Sequence, residues 1–212
     1  IVCADFNDPD VLELMNSDLP VVTIDYVHHN CTAVSSNNIQ GMEDLVKYIY
    51  GQGHRKIAYI HGQQASYVTK DRLASFYRTV DELGLKIPDE YIRTADYLET
   101  REAAKQTKEL LNLEDPPTCI IYPDDTSLIG GRNVIIEMGL RIPRDISIAG
   151  YDGTRMSQLL HPQLTTIRQD TELIGSEAAK RLIGSIEKPR TTLVERVVIE
   201  GILVAGKSVG RI

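Results

Sequence analysis

Asp124 and Asp125 follow the apolar run CIIYP, Asp152 closes ISIAGY, and Asp5 and Asn7 follow IVCA. Gln63 to Thr69 come after KIAYIHG, and Arg72 lies one turn into the helical pattern behind them. In parallel α/β sheets ligands bind outside the carboxyl ends of the strands, so polar residues that end such runs are candidate contacts. Carboxylates accept and a guanidinium donates in fixed bidentate geometry, which suits vicinal hydroxyls better than an apolar substrate. The alternative for each aspartate is a helix cap: Asp124 and Asp125 precede one helical pattern, Asp152 precedes TRMSQLL, and Asp71 falls in a first turn.

Other chemistry finds little support. The chain has no GxSxG elbow, no HExxH and no cysteine in a catalytic signature. An enzyme built on a metal held by Asp124, Asp125 and Asp152 lacks histidine ligands and a base, so no catalytic residue, metal or cofactor is expected. His28 and His29 read as solvated loop residues, and His54, after Gly-Gln-Gly, as structural. Gly201 to Ser208 matches GxxxxGK[ST] letter for letter. A phosphate loop must lead from a strand into a helix, however, and only four residues follow Ser208. The intervening Ile-Leu-Val-Ala also reads as strand.

Composition bounds the rest. The chain has 212 residues, 42% hydrophobic and 25% charged, with 23 Lys+Arg against 30 Asp+Glu and a net charge of −7. A chain this long buries roughly 70% of its unfolded surface and needs no disulfide or structural metal. Cys3, Cys31 and Cys119 are odd in number and never paired as CxxC, which fits reduced thiols and a cytoplasmic protein. No apolar run approaches the ~20 residues of a membrane span. The acidic balance without a basic cluster argues against nucleic-acid contact by these residues. Ile1 opens inside an apolar run instead of at a methionine, as expected for a fragment.

Short β-rich runs alternate with helical patterns, the signature of parallel sheet flanked by helices. Strands are predicted at 1–4, 21–25, 32–36, 56–62, 91–97, 119–123 and 146–152. Helices are predicted at 9–17, 38–51, 70–83, 101–113, 126–138 and 171–187. In the second helix Ile39, Met42, Leu45, Val46 and Ile49 recur at three-and-four spacing before Gly51 and Gly53 stop it. The β-rich tail TLVERVVIEGILVAG follows the last helix, a pattern that gives two lobes joined by several strands and able to hinge.

In this order, GHRKIAYI (53–60), GLRIPRDISIAGYDG (139–153) and LTTIRQD (164–170) resemble the LacI/GalR family of bacterial transcription regulators. The resemblance covers essentially the whole chain. It implies an α/β, periplasmic-binding-protein-like fold of two lobes, each a parallel sheet flanked by helices, with the N-terminal lobe incomplete. Residues 1–26 and 165–188 would be the remnant of that lobe and residues 34–160 and 191–204 the C-terminal lobe. The family's helix-turn-helix DNA-binding domain would lie upstream, absent here.

Site residues carry over one at a time. By the resemblance Arg72 grips the ligand, Asp152 of GYDG is its acidic partner, and Asp124 stands at a contact position after the PTCI strand. Asn7, Ser66 and Gln169 fall at more variable contact positions. Ser36-Asn37 replaces the family's Asp-Asn pair, and YPDD replaces its small-residue-Asn-Asp pattern. With no tryptophan in the chain, any sugar stacking would use Phe6 or Tyr97. The implied function is effector sensing by a homodimeric repressor. A small molecule, sugar-like, binds between the lobes, and operator DNA is bound through the missing domain. Dimerisation would use the helix around Ile129 to Met138 and the segment Thr154 to His161. A solute-binding protein of a transporter shares the fold and is the alternative. As an exposed cleft side chain, Arg72 is expected to tolerate replacement by alanine without unfolding.

Overall fold

The computed structural model describes residues 1–3, 8–188 and 193–212. Asp5, Phe6 and Asn7, and residues 191–192 of the expected C-terminal lobe, lie outside the described residues. In chain order the elements are α1 (Pro9–Met15), β1 (Val22–Ile24), β2 (Thr32–Ser36), α2 (Asn38–Gly51), β3 (Ile57–His61), α3 (Tyr67–Glu82), a short 3-10 turn (Asp89–Tyr91) and β4 (Ile92–Thr94). There follow α4 (Thr100–Leu111), β5 (Cys119–Ile121), α5 (Asp125–Glu137), β6 (Ser147–Asp152), α6 (Arg155–Leu159), β7 (Thr165–Arg168), α7 (Thr171–Glu187), β8 (Arg196–Ile199) and β9 (Ile202–Val204). No helix among the described residues is long and apolar enough to cross a membrane.

The chain divides into two compact units. Ile1–Asn38 and Gln169–Gly201 form unit 1, and Ile39–Arg168 with Ile202–Ile212 form unit 2. Unit 1 holds a three-stranded parallel sheet in the order β1-β2-β8, extended by a parallel bridge from Val2 to Thr23. Its core is Val22 and Val34 against Ile174 and Ala178 of α7. Asp170 starts α7 by accepting the Leu173 amide at 3.0 Å, the usual service of an aspartate N-cap.

Unit 2 is built on a six-stranded sheet, β4-β3-β5-β6-β7-β9, parallel except for β9 against β7. Successive residues of its central strands alternate between two cores, as the two-residue period requires. Ile57, Tyr59, Cys119, Ile121, Ala149 and Tyr151 join Met42, Leu45, Val46 and Ile49 of α2 and Phe76 and Val80 of α3. Ala58, Ile60, Ile120, Tyr122 and Ile148 join Ala103 and Leu110 of α4 and Leu128 and Ile135 of α5. These strands read as continuous apolar runs because both faces are covered.

The expected lobe boundaries shift at two strands. β2 belongs to unit 1, where it lies between β1 and β8, and β7 belongs to unit 2, where it pairs with β6 and β9. The tail, expected as one β-rich stretch, divides after Gly201 and gives each unit a strand. Within unit 2 it continues to the terminus through buried bonds: Ser208 Oγ donates to Ile148 O at 2.6 Å and accepts the Thr165 amide at 2.8 Å. His54 joins the same seam, its Nδ1 2.8 Å from Thr118 Oγ1 and its Nε2 3.0 Å from Gly210 O.

α4 and α5 approach closely at Gly130, where a Cβ would run into the backbone of Thr100. Alanine normally stabilises a helix interior by about 1 kcal/mol relative to glycine. Here the clash reverses the sign: Gly130→Ala should lose about 1–3 kcal/mol in urea unfolding, as overpacked sites do.

Candidate functional site

Unit 2 concentrates unusual polar groups at the carboxyl ends of β3, β5 and β6. The buried stripe of α3 runs Thr69, Arg72, Ser75, Phe76, Thr79 and Val80, so an arginine occupies a core-facing position and is 3% exposed. Burying a guanidinium is costly unless its donors and charge are met. Arg72 Nη1 donates to Pro123 O at 2.9 Å, and Nη2 lies 4.0 Å from Asp152 Oδ1. Its guanidinium carbon sits 3.4 Å from the centroid of the Tyr151 ring, a cation–π stack. This corrects the expectation of an exposed side chain: Arg72 is packed between strand ends and braced on three sides.

Two adjacent aspartates at the start of α5 hold the loops that surround it. Asp124, 1% exposed, caps the helix: its Oδ1 accepts the Ser127 amide at 2.8 Å and its Oδ2 the Ser127 hydroxyl at 2.7 Å. The same Oδ2 accepts the amide of Leu98 at 2.9 Å, in the loop between β4 and α4. Leu98 has φ 64, a left-handed conformation that a leucine adopts only under constraint. The neighbouring Tyr97 hydroxyl lies 2.8 Å from Thr69 Oγ1 on α3, and its ring packs on Gly62 where any Cβ would collide with it. Burial pushes the Tyr97 phenol above its ordinary value.

Asp125 performs the same task on the other side. Its Oδ2 accepts the amide of Thr154 at 2.7 Å and the Thr154 hydroxyl at 3.1 Å, while its Oδ1 accepts the hydroxyl of Thr166 on β7 at 2.8 Å. Burial raises its carboxyl to about 6, against the bonds from Thr154 and Thr166 that favour the charged form. The segment so held carries Asp152, whose φ of 100 is strained for any residue but glycine, followed by Gly153 at φ 65. A Cβ on Gly153 would enter the backbone of Arg168 across the strand pair. Strain of this kind costs of order 1–3 kcal/mol and persists only where the surroundings over-determine it.

The comparisons with known proteins agree with this fold. A family model described as a periplasmic binding protein-like domain matches residues 46–209. The chain belongs to the periplasmic binding protein-like domain family. Within it the resemblance is to LacI-family regulators and their effector-binding domains. The chain is 31% identical to the HTH-type transcriptional repressor PurR of Aliivibrio salmonicida over 88% of its own length and 57% of the repressor's. It therefore spans little more than half of that curated relative. A LacI transcriptional regulator from a Rhodococcus species is 26% identical with a TM-score of 0.86, covering 96% of this chain and 74% of its own. A regulatory protein of LacI family from Chloroflexus aggregans is 29% identical with a TM-score of 0.83, covering 96% of this chain and 73% of its own.

Against the family pattern, the structure brings Arg72, Asp152, Asp124 and Ser66 into unit 2. Ser66 is the N-cap residue of α3 and its hydroxyl makes no capping bond. Asp124, by contrast, spends its oxygens on the α5 cap and on the Leu98 amide, so the cap reading accounts for part of its bonding. Asp152 is no cap, because Thr154 starts α6 by accepting the Ser157 amide at 3.3 Å. Gln169 opens the second segment of unit 1, and Asn7 lies outside the described residues.

Sequence reasoning passed over Asp25, at the end of β1 in unit 1, which has φ 58 and accepts the Ser36 amide at 3.3 Å. Its signal was the same as for the others, a carboxylate closing the run VVTI. Tyr151 was missed because it lies inside a strand run instead of after it. Ser208 of the GxxxxGKS string is fully buried and bonded to backbone, with no helix behind it.

Arg72→Ala should therefore cost stability as well as any ligand. It leaves Pro123 O without its donor and Asp152 without its nearest cation, a loss of about 1–3 kcal/mol in urea unfolding.

Proposed function

We propose that this chain is the effector-sensing part of a LacI-family transcriptional repressor, acting in the cytoplasm and responding to a small polyhydroxylated molecule. The observation that carries the ligand reading is Arg72 stacked on Tyr151 with Asp152 held, under strain, 4.0 Å from it. The guanidinium and this carboxylate pair at the same strand ends. A vicinal diol can bridge the two, donating to Asp152 and accepting from Arg72. An anionic ligand would meet the Asp152 charge, so neutral sugars fit better than phosphorylated ones. Tyr97 offers an aromatic face beside them, and Ser66 a hydroxyl. Asp124 acts through the position of the Leu98 loop.

The regulatory reading draws on the relatives, which are repressors and regulators. Operator DNA would be read by a helix-turn-helix domain that belongs to the whole repressor and not to these residues. A homodimer would present two such domains to a palindromic site. Its interface would use α5 and α6, where Ile136 is 50% exposed, Met138 38%, Met156 57% and Leu159 76%. The effector works by preferring one arrangement of the dimer, and DNA reciprocally shifts effector affinity.

A thermal-shift panel of neutral sugars, sugar acids, sugar phosphates and purines tests the ligand reading. A compound at 100 times its Kd adds about 2.7 kcal/mol, roughly 5–10 °C for a chain this size. Neutral sugars should give the shift, and Asp152→Asn should remove most of it. A shift confined to phosphates, or one that survives Asp152→Asn, would overturn the site assignment.

A further inference from the structure

We propose that Asp125 is a proton-linked positioning residue: as a carboxylate it clamps the segment Asp152-Gly153-Thr154 onto α5 and β7, and as a neutral acid it loosens that segment. The geometry is that of a latch. One carboxyl group bridges three parts of unit 2, its own helix, the loop after β6 through Thr154, and β7 through Thr166. Thr154 in turn caps α6, so the same bond fixes the start of that helix.

All three bonds are made to a charged acceptor, and bonds to ionised groups are roughly twice as strong as neutral ones. Protonation is best accommodated on Oδ1, where the new O–H can turn to donate to Thr166 Oγ1. Oδ2 then remains an acceptor for Thr154, but a neutral one. What it restrains is under tension, because Asp152 holds a positive φ that favours glycine. Weakening the Thr154 bond lets that tension relax, and Asp152 is the residue that moves.

The charges around Asp125 act in opposite directions. Asp152 on β6 disfavours its ionisation. Asp124 is its neighbour on the same turn and is committed to Ser127 and Leu98. Arg72 of α3 lies 4.0 Å from Asp152, and the exposed Arg168 of β7 is the cross-strand partner of Asp152. With burial the largest influence, the carboxyl titrates near 6, within reach of mild acidification. The latch depends on the proposed effector reading only for the role of Asp152, and it is testable without any effector.

The test is a titration of the intact chain by amide NMR, following Thr154 and Gly153 from about pH 8 to about pH 4.5. In the wild type both amides should titrate together with a midpoint near 6. Exchange of the Thr154 amide, corrected for its intrinsic pH dependence, should quicken about tenfold across that midpoint. Asp125→Asn keeps the shape and should abolish the titration. Asp152→Asn removes a neighbouring negative charge and should move the midpoint to lower pH, which reads out the coupling even if Asp125→Asn fails to fold. A flat Thr154 amide in the wild type, or a midpoint that Asp152→Asn leaves unchanged, would overturn the latch. Neither result bears on whether sugars bind, which the thermal-shift panel decides separately.

Discussion

The first turn of α5 is the constraint on which the candidate site depends. Two consecutive carboxylates, both nearly inaccessible to water, each take a loop amide from a different side: Leu98 for Asp124 and Thr154 for Asp125. Both loops are held with residues in left-handed backbone, and each carries a side chain of the candidate site, Tyr97 on one and Asp152 on the other. The apolar sheet beneath supplies the stiffness for this arrangement. Alternating residues of β3, β5 and β6 lock into two cores, so the strand ends from which the loops spring have little freedom.

A buried arginine completes the picture. Arg72 is the one charged residue in the buried stripe of α3, at a position where an ion is costly unless its donors and charge are met. A carbonyl, an aromatic face and a carboxylate are among its partners, and a charge placed against the local rules of stability fits the proposed recognition role. Arg72 and Asp152 pair at 4.0 Å, and under the proposed function a ligand that bridges both would draw its affinity from groups whose positions are already fixed.

Much of the fold was legible because both faces of the central sheet are covered. Runs such as KIAYIHG and CIIYP are too uniformly apolar to be anything but buried strands between amphipathic helices. The strand-end rule also pointed to Asp124, Asp125 and Asp152, which the structure places at the strand ends of unit 2, with Arg72 on the helix behind β3. What it could not give was allegiance. β2 and β7 lie beside segments of the other unit in sequence, and only pairing with β1 and β8, or with β6 and β9, decides where each belongs. Nor could it separate neighbouring aspartates by task. Asp124 and Asp152 read alike in sequence, yet one is consumed as a cap and the other is held in strain. The burial of Arg72 depends on Tyr151 and Pro123, residues 79 and 51 positions away, a distance no local pattern spans.

The most direct test of the account is hydrogen exchange, measured by mass spectrometry on the intact chain, with and without the neutral sugar that gives the largest thermal shift. The account predicts that peptides covering Tyr97-Leu98 and Asp152-Thr154 gain protection together, because one helix start holds both loops around the same ligand. Protection confined to other segments, with both loops unchanged, would contradict it.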